Sequence, residues 1–147
     1  MTAFCALPDK RIAGLYLITP EIPPLELLRL CAAVVPMAAV LQYRAVSPNI
    51  QTARKLAGLC AQSGALFMIN NNALLAKEAF ADGVHLGADD MPVMAARKLL
   101  GDNAIIGATC GGDIQMAKQR QKESADYCAF GAVYASKTKP QKPLCPP

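Results

Sequence analysis

The sequence predicts an α/β protein of the (β/α) barrel kind, and three observations carry that prediction. Six short apolar runs recur along the chain with helical patterns between them. The first run continues into Thr19-Pro20-Glu21 and not into the glycine-rich turn of a dinucleotide-binding sheet. Polar side chains gather just past the ends of the runs, the rim on which barrel enzymes carry their sites. Alternation of this sort needs crossover connections and hence parallel strands, and near-continuous apolar strands need cover on both faces.

The six strands are predicted at 15–19, 40–43, 66–69, 83–86, 105–108 and 127–130, each an apolar run bounded by a polar residue or a glycine. Helices are predicted at 24–35, 50–63, 73–81, 91–100 and 113–124. Their apolar positions recur at helical spacing, as Leu56, Leu59 and Cys60 do, and Pro92 suits the first turn of the fourth. A TIM (β/α)8-type barrel typically takes ~250 residues, so this chain is expected to supply about six βα units of one, an incomplete barrel over residues 1–140. Residues 141–147 read as an irregular Pro-rich tail, which cannot continue the repeat. Open first and last strands would expose backbone groups and apolar faces, so self-association is expected.

With 147 residues, 53% of them hydrophobic and 18% charged, the chain can bury one core. Its formal charge of +4 is scattered along the sequence, which argues against a nucleic-acid footprint and leaves small anions open as ligands. The most apolar stretch, 30–41, is broken by Pro36 and falls short of the ~20 residues that cross a bilayer, so no membrane span is expected. Residues 1–11 hold Pro8, Asp9, Lys10 and Arg11 and no sustained apolar run, unlike a secretory signal. Cys5, Cys31, Cys60, Cys110, Cys128 and Cys145 form no Cys-x-x-Cys pair and read as reduced thiols of a cytoplasmic protein.

Five rim segments can carry chemistry. Gln42-Tyr43-Arg44 sets an amide and a guanidinium fork at a strand end, a pairing that suits phosphate, although Arg44 could equally be a solvated surface residue. Asn70-Asn71-Asn72 is a turn signal that could also offer an amide to a ligand. In 82–92, Asp90 could cap the following helix, or Asp89 or Asp90 could hold Mg²⁺ bound to substrate phosphates; His85, the single histidine, reads as a hydrogen-bonded packing residue. Thr109-Cys110-Gly111-Gly112 could present an anion to a helix N-terminus or be a plain loop and cap. Ser136-Lys137-Thr138-Lys139 concentrates two hydroxyls and two ammonium groups.

Taken together, Gln42-Tyr43-Arg44, Ile69-Asn70, the block from Ala81 to Asp90, Ile106-Gly107-Ala108-Thr109, Ala125-Asp126-Tyr127, Phe130-Gly131 and Ser136-x-Thr138-Lys139-Pro140 resemble the thiamine-phosphate synthase family in order and spacing. The resemblance implies a transferase of thiamine biosynthesis. It would join the small molecules hydroxymethylpyrimidine diphosphate and hydroxyethylthiazole phosphate with Mg²⁺, releasing diphosphate. By position it implies that Gln42, Arg44, Asn70 and Lys139 hold the diphosphate or pyrimidine, that Thr109 lies near the leaving group, and that Ser136 and Thr138 face the thiazole phosphate. Asp90 would bind Mg²⁺, and Asn71 stands where the family has a metal-binding aspartate. Val46 stands where the family has a lysine. These departures imply weak or absent turnover, and set a non-catalytic phosphate-binding remnant as the alternative. A thiazole tautomerase, a related barrel enzyme, would need a histidine after the fifth strand, where residues 109–113 have none.

Overall fold

The computed structural model describes residues 12–134. Ser136, Thr138, Lys139 and the 140/141 boundary therefore lie outside the described residues. Within them the chain runs β1 (Tyr16–Ile18), α1 (Pro24–Val34), β2 (Val40–Tyr43), α2 (Ile50–Ser63), β3 (Leu66–Asn70), α3 (Ala73–Glu78), β4 (Gly83–Leu86), α4 (Val93–Leu100), β5 (Ile105–Gly111), α5 (Ile114–Lys122) and β6 (Tyr127–Phe130), with a 3₁₀ turn at Val35–Met37. All neighbouring strands pair in parallel, in the order β1-β2-β3-β4-β5-β6. A doubly wound sheet reverses direction part-way along its strand order. This one never does, so every crossover packs its helix on the same face.

The sheet is curled. In a flat sheet β1 and β6 would stand five strand spacings apart, roughly 24 Å, yet the hydroxyls of Tyr16 and Tyr127 meet at 3.0 Å. Strand alternation then gives two layers. Leu41, Tyr43, Phe67, Ile69, Val84, Leu86, Ile106 and Ala108 face the helices, and form one cluster with Leu27, Cys31, Leu56, Cys60, Val93 and Ala96. Their neighbours in sequence point into the curl, where Val40, Met68 and Ile105 pack with Tyr16, Leu66 and Tyr127. The architecture is that of a TIM-type barrel, of which six strands are seen here.

Helix boundaries follow local chemistry. The Asn49 side chain accepts from Thr52 N at the start of α2, and Gly64, at φ 73°, ends that helix in the left-handed conformation. Helix α3 stops at Glu78, short of the expected 81, because Phe80 takes φ 56° and turns the chain toward β4. Helix α4 is capped by Pro92 with no side-chain bond, so Asp90 is not its N-cap. At α5 the Asp113 carboxylate accepts from the N–H groups of Gln115 and Met116 at 2.7 and 3.0 Å. That internal carboxylate takes the place an anion would fill, so the helix is capped from within by Asp113, while 109–111 continue β5 and are not the expected loop.

Two aspartates tie successive strands together below the site. Asp82, just before β4, accepts from Phe67 N of β3 at 2.7 Å, and Asp126, just before β6, accepts from Ile106 N of β5 at 2.7 Å. Arg97 of α4 clamps the second pair, with an ion pair of 2.7 Å to Asp126 and hydrogen bonds to the carbonyls of Ala104 and Ser124. Gly83 is required at its place in β4, because a Cβ there would collide with the Ile105 carbonyl. Among the described residues no helix is long and apolar enough to cross a membrane, and Cys31, Cys60, Cys110 and Cys128 are free thiols, as expected.

Candidate active site

At the C-terminal ends of the strands lies a cavity of about 630 Å³, lined by Tyr16 and Ile18 from β1, Gln42 and Arg44 from β2, Asn70 and Asn71 from β3, His85 and the 87–90 loop from β4, Thr109 from β5, and Tyr127 and Ala129 from β6. Every expected site residue within the described range is in that lining: Gln42, Arg44, Asn70, Asn71, Asp90 and Thr109. They come from four strand ends, and the pairing register explains how. Ile18, Gln42 and Met68 share one row of the sheet, and Asn70, His85, Gly107 and Tyr127 share the next, all pointing inward. Thr109 belongs inside β5, which extends to Gly111 beyond the expected end at 108, and it pairs with Ala129.

Individual residues are held by their neighbours. Thr19 is buried, and its hydroxyl both accepts from Arg44 N at 2.9 Å and donates to Arg44 O at 3.0 Å, which fixes the backbone that carries the exposed Arg44 guanidinium. Val46, 89% exposed, contributes nothing to the lining. Three consecutive asparagines take three separate tasks. Asn70 ends β3 facing the cavity, and Asn71 adopts φ 67° with its N–H on the His85 carbonyl at 2.7 Å. Asn72 caps α3 by accepting from Leu75 N at 2.9 Å. Both readings of the triplet, turn and ligand contact, thus have residues to carry them.

Asp90 folds its loop back on itself, with Oδ2 accepting from Gly87 N at 2.6 Å. A Cβ on Gly87 would sit 2.8 Å from that oxygen and 3.8 Å from Asn71 Oδ1, so the two oxygen donors flank the same glycine. The set is hard oxygen throughout, one carboxylate and one amide with Asp89 adjacent, which suits a divalent cation that keeps waters and substrate phosphates in its shell. No group of three His, Cys, Asp or Glu side chains able to hold a metal by themselves occurs among the described residues. Charge points the same way. The charged residues of the lining are Arg44, Asp89 and Asp90, so an anionic ligand needs an added cation beside the acidic loop.

Sequence reasoning missed the tyrosines. Gln42 Nε2 donates to Tyr16 Oη at 2.8 Å, Tyr16 meets Tyr127 at 3.0 Å, Tyr127 meets His85 Nδ1 at 3.0 Å, and His85 Nε2 meets Thr109 Oγ1 at 3.0 Å. The Tyr127 and His85 rings stack with centroids 5.6 Å apart. Gly107 makes that possible, since it stands between them in the register and any Cβ there would overlap the Tyr127 ring. Burial raises the phenol pKa of Tyr127 above its ordinary value, and the bond to Tyr16 adds to the rise; burial raises Tyr16 as well. His85 is hydrogen-bonded, as expected, but it lines the cavity and does not merely pack. The signal available in the sequence was Gly107 at an inward position two residues before Thr109. Cys110 points to the helix side, buried, with its thiol pushed up to about 11 by burial and by Cys128, and is not offered to the cavity.

A singly wound parallel sheet with a cavity at its C-terminal rim defines a TIM-type barrel protein with polar side chains gathered where such barrels carry their sites. The family model described as thiamine monophosphate synthase matches residues 15–146, and the chain belongs to that family. It is 48% identical over 138 residues to the thiamine-phosphate synthase of Thioalkalivibrio sulfidiphilus, covering 89% of this chain and 65% of that one. It is 42% identical over 142 residues to that of Chromobacterium violaceum, covering 92% and 69%. The solved thiamine phosphate pyrophosphorylase of Pyrococcus furiosus superposes with a TM-score of 0.71 at 30% identity, covering 82% of this chain and 61% of that one. The chain thus spans slightly less than two thirds of the first relative and of the solved structure.

Proposed function

We propose that the rim cavity binds an organic diphosphate with Mg²⁺ and serves the thiamine-phosphate synthase reaction. One observation carries this reading: Gln42, Arg44, Asn70, Asp90 and Thr109, separated along the chain, converge on one cavity in a member of that family. In the proposed reaction the bond between the pyrimidine methylene and the diphosphate oxygen breaks, the electron pair leaves with diphosphate, and the thiazole nitrogen supplies the new pair to the methylene. Arg44 and the amides of Gln42 and Asn70 bind the anionic and polar parts of the substrate, and the buried Gln42 fixes orientation. Asp90 and Asn71 are the residues that would hold Mg²⁺, which supplies charge neutralisation to the leaving group. Such a reaction needs stabilisation of departing charge more than a proton-transfer base. Ser136, Thr138 and Lys139 complete the proposal as contacts to the thiazole phosphate and the diphosphate, in a barrel segment over 1–140 followed by the 141–147 tail of a cytoplasmic protein.

The alternative, a phosphate binder without turnover, is favoured by Val46 and Asn71, which put a neutral side chain where a cation and an anion would serve the reaction. Thermal melts with Mg²⁺ and diphosphate, followed by assay of diphosphate release from the paired substrates, separate the two. Ligand at ~100 times its dissociation constant adds ~2.7 kcal/mol of apparent stability. A melt that shifts with release of diphosphate supports the synthase reading; a shift without release supports the binder; no shift with diphosphate and Mg²⁺ sinks both.

A further inference from the structure

We infer that Tyr127 is a positioning residue that sets the direction of the hydrogen-bond chain across the barrel interior, so that the Thr109 hydroxyl presents its proton to the cavity. The argument begins at Gln42, 3% exposed, whose Nε2 can only donate and does so to Tyr16 Oη at 2.8 Å. Tyr16 then has one proton to give, and its neighbour is Tyr127 Oη at 3.0 Å. Having accepted, Tyr127 gives its own proton to His85 Nδ1 at 3.0 Å. An imidazole that accepts at Nδ1 carries its proton on Nε2, which donates to Thr109 Oγ1 at 3.0 Å. A hydroxyl that accepts in this way keeps its proton for another acceptor, and Thr109 lines the cavity. Run in reverse, with Gln42 Nε2 still donating, the chain would have Tyr16 accept from both sides and turn its own half-buried proton out of the chain.

The shape of the molecule supports the same assignment. Gly107 leaves the space that lets the Tyr127 ring lean across β5 and stack on His85, so the phenol reaches Nδ1 with its ring plane fixed. The path of side-chain hydrogen bonds from Gln42 to Thr109 passes through Tyr127. The direction of the chain stands on this geometry alone. The use of the Thr109 proton, as a donor to a phosphate or another anionic oxygen, rests on the reading of the cavity as a diphosphate site.

The chain contains one histidine, so ¹⁵N-labelled protein gives a single pair of imidazole nitrogens to observe. Long-range ¹H–¹⁵N spectra of the intact 147-residue chain at fixed pH should show the proton on Nε2 and Nδ1 bare. A proton on Nδ1 overturns the proposal. Tyr127→Phe keeps the stacked ring and removes the link, so the Nδ1 resonance should move as its donor is lost; Tyr16→Phe, which cuts the chain one link earlier, is the second variant if the first does not fold. With inorganic diphosphate and Mg²⁺ as probe, Tyr127→Phe and Thr109→Val should each weaken binding by about three- to tenfold. The double variant should be no weaker than Thr109→Val alone, because both act through one hydroxyl. Additive losses would overturn the coupling. Absence of diphosphate binding by the parent chain would count against the proposed function, and the imidazole spectrum would still decide the direction of the chain.

Discussion

Gly107 shows how one absent side chain can organise a site. Its place in β5 lies between His85 and Tyr127 in the register, and the Tyr127 ring occupies the volume a Cβ would need. Gly107→Ala should therefore displace the ring, break the bond to His85, and lower stability by about 1–3 kcal/mol, the usual cost of forcing extra volume into a packed interior. Urea denaturation gives the stability change, and near-ultraviolet circular dichroism follows the tyrosines in a protein with no Trp. Asp82 makes a second case. Burial raises its carboxyl pKa, while the Phe67 N–H works against the rise. With the folded pKa above the unfolded one, the stability linked to its protonation is full at low pH and is lost as pH rises through the folded value. Asp82→Asn keeps an acceptor for Phe67 N and removes the buried charge, so at neutral pH it should be no less stable than the parent, and the decline in stability with rising pH above the ordinary carboxylate range should flatten. A marked destabilisation of Asp82→Asn at pH 7 would show that the ionised form is the one the fold prefers.

At the level of elements, the asparagine triplet separates stability from binding. Asn72→Ala removes the cap of α3 and should cost ~1 kcal/mol while leaving ligand affinity intact. Asn70→Ala, which alters a side chain facing the cavity, should do the reverse; paired melts with and without Mg²⁺ and diphosphate test both, and equal effects of the two variants on affinity would defeat the division. The same triplet marks what the sequence could reveal. Strands β2, β4 and β6 and helix α2 fall at the expected residues because their apolar spacing and flanking turns agree with one another. Gln42, Arg44, Asn70, Asp90 and Thr109 were legible because each follows an apolar run, and strand ends in a parallel sheet meet on one rim. Tyr16 and Tyr127 were not, since a tyrosine inside an apolar run has the pattern of packing whether or not its hydroxyl has partners. Their meeting depends on the curl of the sheet, which brings residues 111 positions apart together. The end of α3 and the length of β5 were missed for a local reason: left-handed turns at Phe80 and Gly111 override the pattern around them.

For the whole molecule, curvature decides both what is held together and what is left open. The Tyr16–Tyr127 contact spans the interior from β1 to β6, so the curl is fastened by side chains where strand pairing among the described residues does not reach. Among the described residues β1 and β6 each pair on one side only, and each has an exposed apolar side chain, Ile18 in β1 and Phe130 in β6, with the exposed Leu15 just before the one and Val133 and Tyr134 after the other. Open edges of a parallel sheet with apolar flanks favour association with another strand-bearing surface. The 147-residue chain studied by itself should therefore self-associate, with a weight-average mass that rises with concentration in sedimentation velocity. Charge placed on the edge, as in Phe130→Lys, should lower that mass at equal concentration, because a lysine on an open edge opposes pairing without removing any buried side chain. Tyr127→Phe should act in the opposite direction by loosening the fastening between the two edges. A chain that sediments as a monomer at all concentrations, or an edge lysine that leaves the mass unchanged, would show that the curl shields these strands despite their exposure.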